Sequence, residues 1–192
     1  MNILRAALHA LLFGIPIWTL HQFLIAFPLQ LIGLIAVPIG LLLPTVTRPS
    51  RKYAGRTITA FRSPLLWLFG NEEDGLAPAW YVWANKGRDT FWVRFKWLAL
   101  RNPVGNLRFV PWINPKIVPS RIRFVGADRE PPRGTAGWFY VWQGAYSGVR
   151  LQSRNWRIWI GWKLKPDDRN GIDPRDMRAP RCGFAFQLKR VG

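Results

Sequence analysis

Hydrophobic positions fall into three regimes along the chain. From Ala6 to Thr47 they run almost unbroken, with no Asp, Glu, Lys or Arg among them. From Asp89 to Arg101 they recur at helical spacing: Phe91, Trp92, Phe95, Leu98 and Ala99 share a stripe, and Arg94 and Arg101 lie on another. Asp89 or Thr90 supplies an N-cap, and Asn102-Pro103 supplies a stop. Beyond Asn106 the period drops to two. Candidate strands are Leu107–Trp112, Arg121–Val125, Trp138–Gln143, Val149–Gln152, Trp156–Leu164 and Phe184–Lys189, separated by Pro, Gly and Asn.

The apolar regime is too long for one straight crossing. As a single helix it would measure about 63 Å at 1.5 Å per residue, against a hydrocarbon core of about 30 Å. Pro16, Pro28, Pro38 and Pro44 interrupt it, and Pro28 falls near its middle. Proline removes a backbone donor and bends a helix. The expectation is a membrane helical hairpin with limbs near Ala6–Phe27 and Leu29–Val46; the alternative is one span with an interfacial or re-entrant limb. A cleaved signal peptide fits less well, because the apolar run continues far past the usual core and no small-residue cleavage site precedes a polar start. A buried hairpin of a soluble domain would leave more apolar surface than a small domain can cover.

In the strand regime the alternation pairs an apolar face with a basic or aromatic one. Trp156, Ile158, Ile160, Trp162 and Leu164 point one way, and Arg157, Trp159, Gly161 and Lys163 the other. Arg121 and Arg123 likewise oppose Phe124 and its neighbours. The fold expected is therefore a membrane α-helical hairpin followed by an α+β domain, with one amphipathic helix and a small antiparallel β-sheet or partly open barrel. The organisation expected is a hairpin over 1–47, a basic juxtamembrane connector over 48–69 and a basic, Trp-rich α+β domain over 70–192. The helix is expected to pack on that domain's core, although a membrane-surface position would suit it too.

Charge sharpens this picture. The chain carries 28 Lys and Arg against 10 Asp and Glu, a net charge of +18, and every acid lies beyond residue 70. Only Arg5 precedes Thr47. Such an excess implies an anionic partner: phospholipid headgroups, nucleic acid or another polyanion. Arg48, Arg51, Lys52, Arg56 and Arg62 follow the apolar segment, which puts the basic domain in the cytoplasm by the positive-inside rule. They also suit anionic lipid, with Phe61 and Trp67 at headgroup depth. One cysteine, Cys182, excludes an intramolecular disulfide. Both histidines, His9 and His21, fall in the apolar segment, which leaves the basic domain without the commonest general base and transition-metal ligand.

Candidate chemistry follows from these residues. Asn71-Glu72-Glu73-Asp74-Gly75 reads as a turn pairing with arginines, and Asp167–Asp173 as a loop between Pro166 and Pro174. Neither has the spacing of a calcium loop, so no metal or cofactor is expected. The window between Glu130 and Asp167 holds six Lys/Arg interleaved with Trp138, Trp142, Trp156, Trp159 and Trp162. This mixture suits a membrane interface, and it also suits a single-strand nucleic-acid platform. Arg121, Arg123, Arg157 and Lys163 are the candidate anion-binding residues, expected to emerge on one side of their strands, with Trp159 as the aromatic contact.

Several stretches taken in order resemble a family of short, uncharacterised, membrane-anchored proteins encoded by tailed bacteriophages and prophages. They are Gly70–Gly75, Arg101-Asn102-Pro103-Val104-Gly105-Asn106-Leu107-Arg108, Ile160-Gly161-Trp162-Lys163 and Gly183-Phe184-Ala185-Phe186-Gln187. The resemblance spans roughly residues 60–190 and implies a phage origin, but no catalytic site. The function expected is that of a non-enzymatic inner-membrane protein of the host bacterium. Its basic cytoplasmic domain would engage anionic phospholipid or phage and host components. The alternative is a membrane-tethered nucleic-acid-binding module.

Overall fold

A computed structural model of the chain describes residues 3–49, 57–61, 76–77, 82, 87, 89–101, 113, 115–170 and 182–190. The strand expected at Leu107–Trp112, the acidic turn at Asn71–Gly75, Trp67, the end of the loop at 171–173, and the flanking residues Arg51, Lys52, Arg56 and Arg62 lie outside the described residues. So do the side chains of Arg48 and Phe61. The chain forms two compact units, Met1–His21 with Val110–Gly192, and Gln22–Phe109. These units do not follow boundaries at 47/48 and 69/70, because the first part of the apolar segment joins the C-terminal sheet.

That segment is one helix, not a hairpin. Helix α1 runs over Ile3–Leu41 and is long and apolar enough to cross a membrane. It stays helical through its prolines for a local reason. π turns occupy Ala10–Gly14 and Gln22–Ala26, and Pro16 and Pro28 each follow two residues after one of them. Widening the hydrogen-bond ladder from i→i+4 to i→i+5 leaves room for a ring that would otherwise collide with the preceding turn. Pro38 lies within the last helical stretch, Phe27–Leu41.

In the first unit a five-stranded antiparallel sheet is built from β3 (Arg123–Gly126), β4 (Gly137–Gln143), β5 (Tyr146–Gln152), β6 (Trp156–Trp162) and β7 (Phe184–Arg190), in that spatial order. It is an open sheet with β3 and β7 at its edges, and it does not close into a barrel. The strands follow one another as a sequential meander, with short turns joining β4 to β5 and β5 to β6 and longer connections before β4 and β7.

Register assigns the faces. Trp138, Tyr140 and Trp142 share one face with Val149 and Leu151, with Ile158 and Ile160, and with Phe186 and Leu188. Phe139, Val141, Trp159 and Ala185 share the other and form the main core with Ile117, Ile122, Leu164 and Cys182. The aromatic and basic face of β6 is thus the buried one, the reverse of the sequence expectation. Flanking segments cover that side: Ile117, Ile122 and Leu164 belong to that core, and the Cys182 amide donates to Pro115 O at 3.2 Å.

The opposite face receives the Ile3–His21 part of α1, through polar and small residues that an apolar helix rarely places inward. Ala6 and Ala10 pack on Tyr140 and Trp142. His9 Nε2 lies 2.7 Å from Gly144 O and Nδ1 2.8 Å from the Tyr140 hydroxyl. A carbonyl only accepts, so Nε2 carries the proton and Nδ1 accepts from the tyrosine. Gly14 is buried where a Cβ would stand 3.0 Å from Tyr140 Oη and 3.1 Å from Ser147 Oγ. Trp18 Nε1 donates to Ser147 O at 2.9 Å, and His21 stacks on Phe184 at 4.1 Å.

In the second unit, β1 (Thr45–Pro49) and β2 (Thr57–Phe61) pair antiparallel, so the expected connector contains a hairpin. Helix α2 (Phe91–Phe95) begins where the sequence places it. Thr90 Oγ1 accepts the Val93 amide, and Asp89 holds Arg94 with two bonds of 2.8 and 2.9 Å. That bond raises the Arg94 pKa. A π turn over Lys96–Arg101 continues the helix and rotates its inner stripe to Val93, Trp97, Leu98 and Ala99. These last three pack with Leu76 and with Val37 of α1, in a cluster separate from the core of the main sheet on which the sequence pattern places the helix. Trp92 remains exposed.

Candidate functional site

The basic residues singled out from sequence do not form one surface. Arg121 closes a 3-10 turn over Pro119–Arg121, and Arg123 opens edge strand β3. Both are exposed. Arg123 pairs in register with Trp142, whereas Arg157 pairs with Gln152 on the opposite face of the sheet. The expectation that they emerge on one side is therefore corrected. Lys163 lies just past the end of β6, exposed, its amide bonded to Gly183 O.

Arg123 instead shares a cleft with a residue that alternation does not point to. Arg169 reaches back from the 3-10 turn at Pro166–Asn170 to lie 4.6 Å over the Phe124 ring. Arg123, Phe124, Gly126 and Arg169 line an open cleft of about 630 Å³ along the β3 edge. Arg123 Nη1 donates to Ser120 O and Ile122 O at 2.9 and 3.1 Å, which fixes one side of its guanidinium. The cleft thus gathers exposed guanidinium groups beside a strand edge that pairs with no other described strand. Such a site suits anionic oxygens, because guanidinium groups offer several donors in a rigid plane.

Trp159 is not a contact residue. It is 5% exposed, packs edge-on against Phe139 at 5.7 Å and donates through Nε1 to Trp162 O at 3.2 Å. Its face is taken by Arg150, which lies 5.6 Å from the ring centroid. Arg150 is itself buried and bonded to Glu130, to Gln152 Oε1 at 2.5 Å and to Pro131 O. Glu130 also meets Lys165 at 2.5 Å and Arg157 at 3.7 Å. Burial, and then the neighbouring Arg157 charge, lower the Arg150 pKa to about 10. Burial lowers that of Arg157 too, followed by the charge of Arg133.

Arg157 is thus a partner in a structural network around one carboxylate. The network escaped the sequence reading because Arg150 sits at a strand position that alternation alone leaves free to face either way. Gln152 closes it, donating to Pro132 O and Thr135 O at 2.5 and 2.8 Å and so tying the β3–β4 loop to the sheet.

The sheet unit is also not free of histidine, contrary to the sequence reading: α1 brings His9 and His21 onto it. Each has a packing role, His9 with both nitrogens engaged and His21 stacked on Phe184. Among the described residues, no group of three or more His, Cys, Asp or Glu could hold a metal ion. Cys182 is buried, and desolvation followed by the Asp168 charge pushes its thiol up to about 12, so it is a poor nucleophile there.

The outward face of α1 in this unit is apolar. Ile3, Leu8, Leu11, Leu12, Ile15 and Leu20 are each at least half exposed. A helix with its polar side on its own domain and its apolar side outward reverses the usual pattern of a surface helix.

No curated protein and no solved structure matches the chain. A family model matches residues 14–189, and the chain belongs to that family, a Family of unknown function (DUF7338).

Proposed function

We propose that the chain is a non-enzymatic membrane protein whose basic domain engages anionic phospholipid. The observation that carries this is the outward apolar face of α1, a surface that water disfavours and hydrocarbon accepts. The cleft lined by Arg123 and Arg169, with exposed Arg121 in the adjoining 3-10 turn, supports the lipid partner, since headgroup phosphates supply the anionic oxygens such a cleft suits. The basic residues Arg48, Arg51, Lys52, Arg56 and Arg62 after α1 support a cytoplasmic position at a bacterial inner membrane. A phage origin rests on the short motifs of the sequence. The nucleic-acid alternative loses its aromatic contact with Trp159 in the core.

The test uses the full chain. In cells it should stay in the membrane pellet after a carbonate wash. Mixed with vesicles, it should bind more tightly as phosphatidylglycerol content rises. Replacing Arg121, Arg123 and Arg169 together with Ser should weaken that binding by about 100-fold, at about 1 kcal/mol per basic residue near the surface. Recovery of the intact protein in the soluble fraction would end the membrane reading. Binding that ignores both phosphatidylglycerol and the triple substitution would end the lipid assignment.

A further inference from the structure

The helix covers only part of the sheet face it sits on. It contacts the end of the sheet marked by Trp142, Ser147, Trp162 and Phe184. Two rows further along, Trp138 pairs with Leu151, Leu151 with Ile158 and Ile158 with Leu188, four apolar side chains directly abreast across β4 to β7. Trp156 and Phe186 flank this row on the same face. Among the described residues nothing covers it: Trp138, Leu151 and Trp156 are 45, 46 and 50% exposed, and Phe186 and Leu188 are 70 and 64% exposed. A monomeric domain rarely leaves so many large apolar side chains side by side in water.

We infer that this uncovered sheet face and the outward face of the Ile3–His21 helix together form a single membrane-inserting surface, with the helix lying in the plane of an anionic leaflet rather than crossing it within this unit. The inference rests on the membrane reading above and deepens it. The helix cannot cross the bilayer alone here, because His9, Gly14, Trp18 and His21 fasten it lengthwise to the sheet; a crossing path would carry the sheet's polar loops into hydrocarbon.

Charge identifies the occupant. No strand residue on this face is acidic, and its only charged side chains are Arg123 on edge strand β3 and Arg190 at the end of edge strand β7. Exposed Arg154 lies in the turn before Trp156, and exposed Arg5 on the helix. An apolar centre with tryptophans toward its margin and arginines around it matches the layering of tails, interface and anionic headgroups. A second copy of the chain is a poorer occupant, because a two-fold contact through this face would bring two such arginine rims together.

The test exploits the single native thiol. Cys182 is 3% exposed in the core, so a cysteine placed on the surface of the full-length protein is labelled selectively. An environment-sensitive fluorophore is attached in turn at Leu188→Cys on the sheet, Leu12→Cys on the helix and Lys116→Cys on the far side. Phosphatidylglycerol vesicles should move the emission at 188 and 12 to the blue and leave 116 unchanged. Separately, Leu188→Asp should lower the vesicle partition coefficient about 10- to 100-fold, the worth of an inserted leucine.

A response at 12 without one at 188, with Leu188→Asp binding like the native protein, overturns the inference and leaves the membrane reading standing. Silence at both positions, with no flotation on vesicles, sinks both. A response at 188 that depends on protein concentration without vesicles assigns the face to a second copy and also overturns the inference.

Discussion

Adding one methyl group at Gly161 should loosen the whole helix-on-sheet arrangement. Gly161 adopts φ of +94° at the end of β6. A Cβ there would fall inside contact of the Ser147 carbonyl oxygen, 2.5 Å from Trp18 Nε1 and 3.0 Å from Gly148 Cα. Two of these neighbours are backbone, and the third is an indole held at 2.9 Å to the same carbonyl. The left-handed conformation costs a residue with a Cβ about 1–2 kcal/mol. Losing the Trp18 hydrogen bond costs about 1 kcal/mol. Forcing the contact apart costs about 1–3 kcal/mol. Gly161→Ala should therefore lose about 3–6 kcal/mol in all, or roughly 6–24 °C of melting temperature at about 2–4 °C per kcal/mol.

The control is Gly134→Ala. Gly134 has φ of +78° with nothing within 4 Å of the added atom. It should lose only the conformational part, about 1–2 kcal/mol. Near-UV circular dichroism on heating in mild detergent would follow the tertiary aromatic signal. Trp18→Phe should fall between native and Gly161→Ala, since it removes the hydrogen bond and leaves the glycine unstrained. If Gly161→Ala melts no earlier than Gly134→Ala, the helix does not approach the sheet as described.

Two further substitutions probe the interior. Arg150→Ala opens a void beside Trp159 and strips Glu130 and Gln152 of a donor, at a cost of about 3 kcal/mol, whereas Arg150→Met, which refills the volume and leaves Glu130 to Lys165, should recover more than half of it in chemical denaturation; equal losses would show that charge, not packing, holds the site. Cys182 has its native pKa pushed up to about 12 from the ordinary thiol range. The native state keeps a proton that the unfolded state gives up, so stability is unaffected below about pH 9 and falls by about 1.4 kcal/mol per pH unit as pH rises from there toward the native value. Tyr140 and Tyr146 are raised by burial and titrate with the same sign, so the quantity to read is the difference from Cys182→Ala. Parallel pH profiles for the two proteins would remove the cysteine from the account.

Strand existence was legible because it rests on period two, which no other structure imitates. All five strands of the main sheet lie where alternation puts them, within a few residues. The N-cap of α2 was equally plain, because Asp89 and Thr90 act through neighbours in sequence. What alternation cannot tell is which face turns inward. Both faces of β6 carry tryptophan, and the choice was made by residues distant in sequence, Ile117, Ile122, Leu164 and Cys182, that pack with Trp159 rather than Ile158. Arg150 then faces the core because Glu130 waits there, a pairing across the β3–β4 loop that carries no local signature. The Arg169 side of the cleft is of the same kind, since it depends on the 3-10 turn at Pro166–Asn170 folding back to Phe124.

The apolar segment shows the other limit. Its prolines argued for a hairpin because proline breaks an α-helix, and the π turns ahead of Pro16 and Pro28 remove the collision on which that argument depends. Its polar residues carried the better signal. His9, Gly14, Trp18 and His21 recur along one side of a helix that otherwise reads as uniformly greasy, at positions where a lipid-facing helix gains nothing from imidazole or indole nitrogen. Each finds a partner on the sheet: His9 the Tyr140 hydroxyl and Gly144 carbonyl, Trp18 the Ser147 carbonyl, His21 the Phe184 ring. Hydropathy averages erase such a stripe, because a few polar positions barely lower the mean of a window. Read residue by residue, the stripe says that this helix has two different solvents, protein on one side and, on the proposal argued above, lipid on the other.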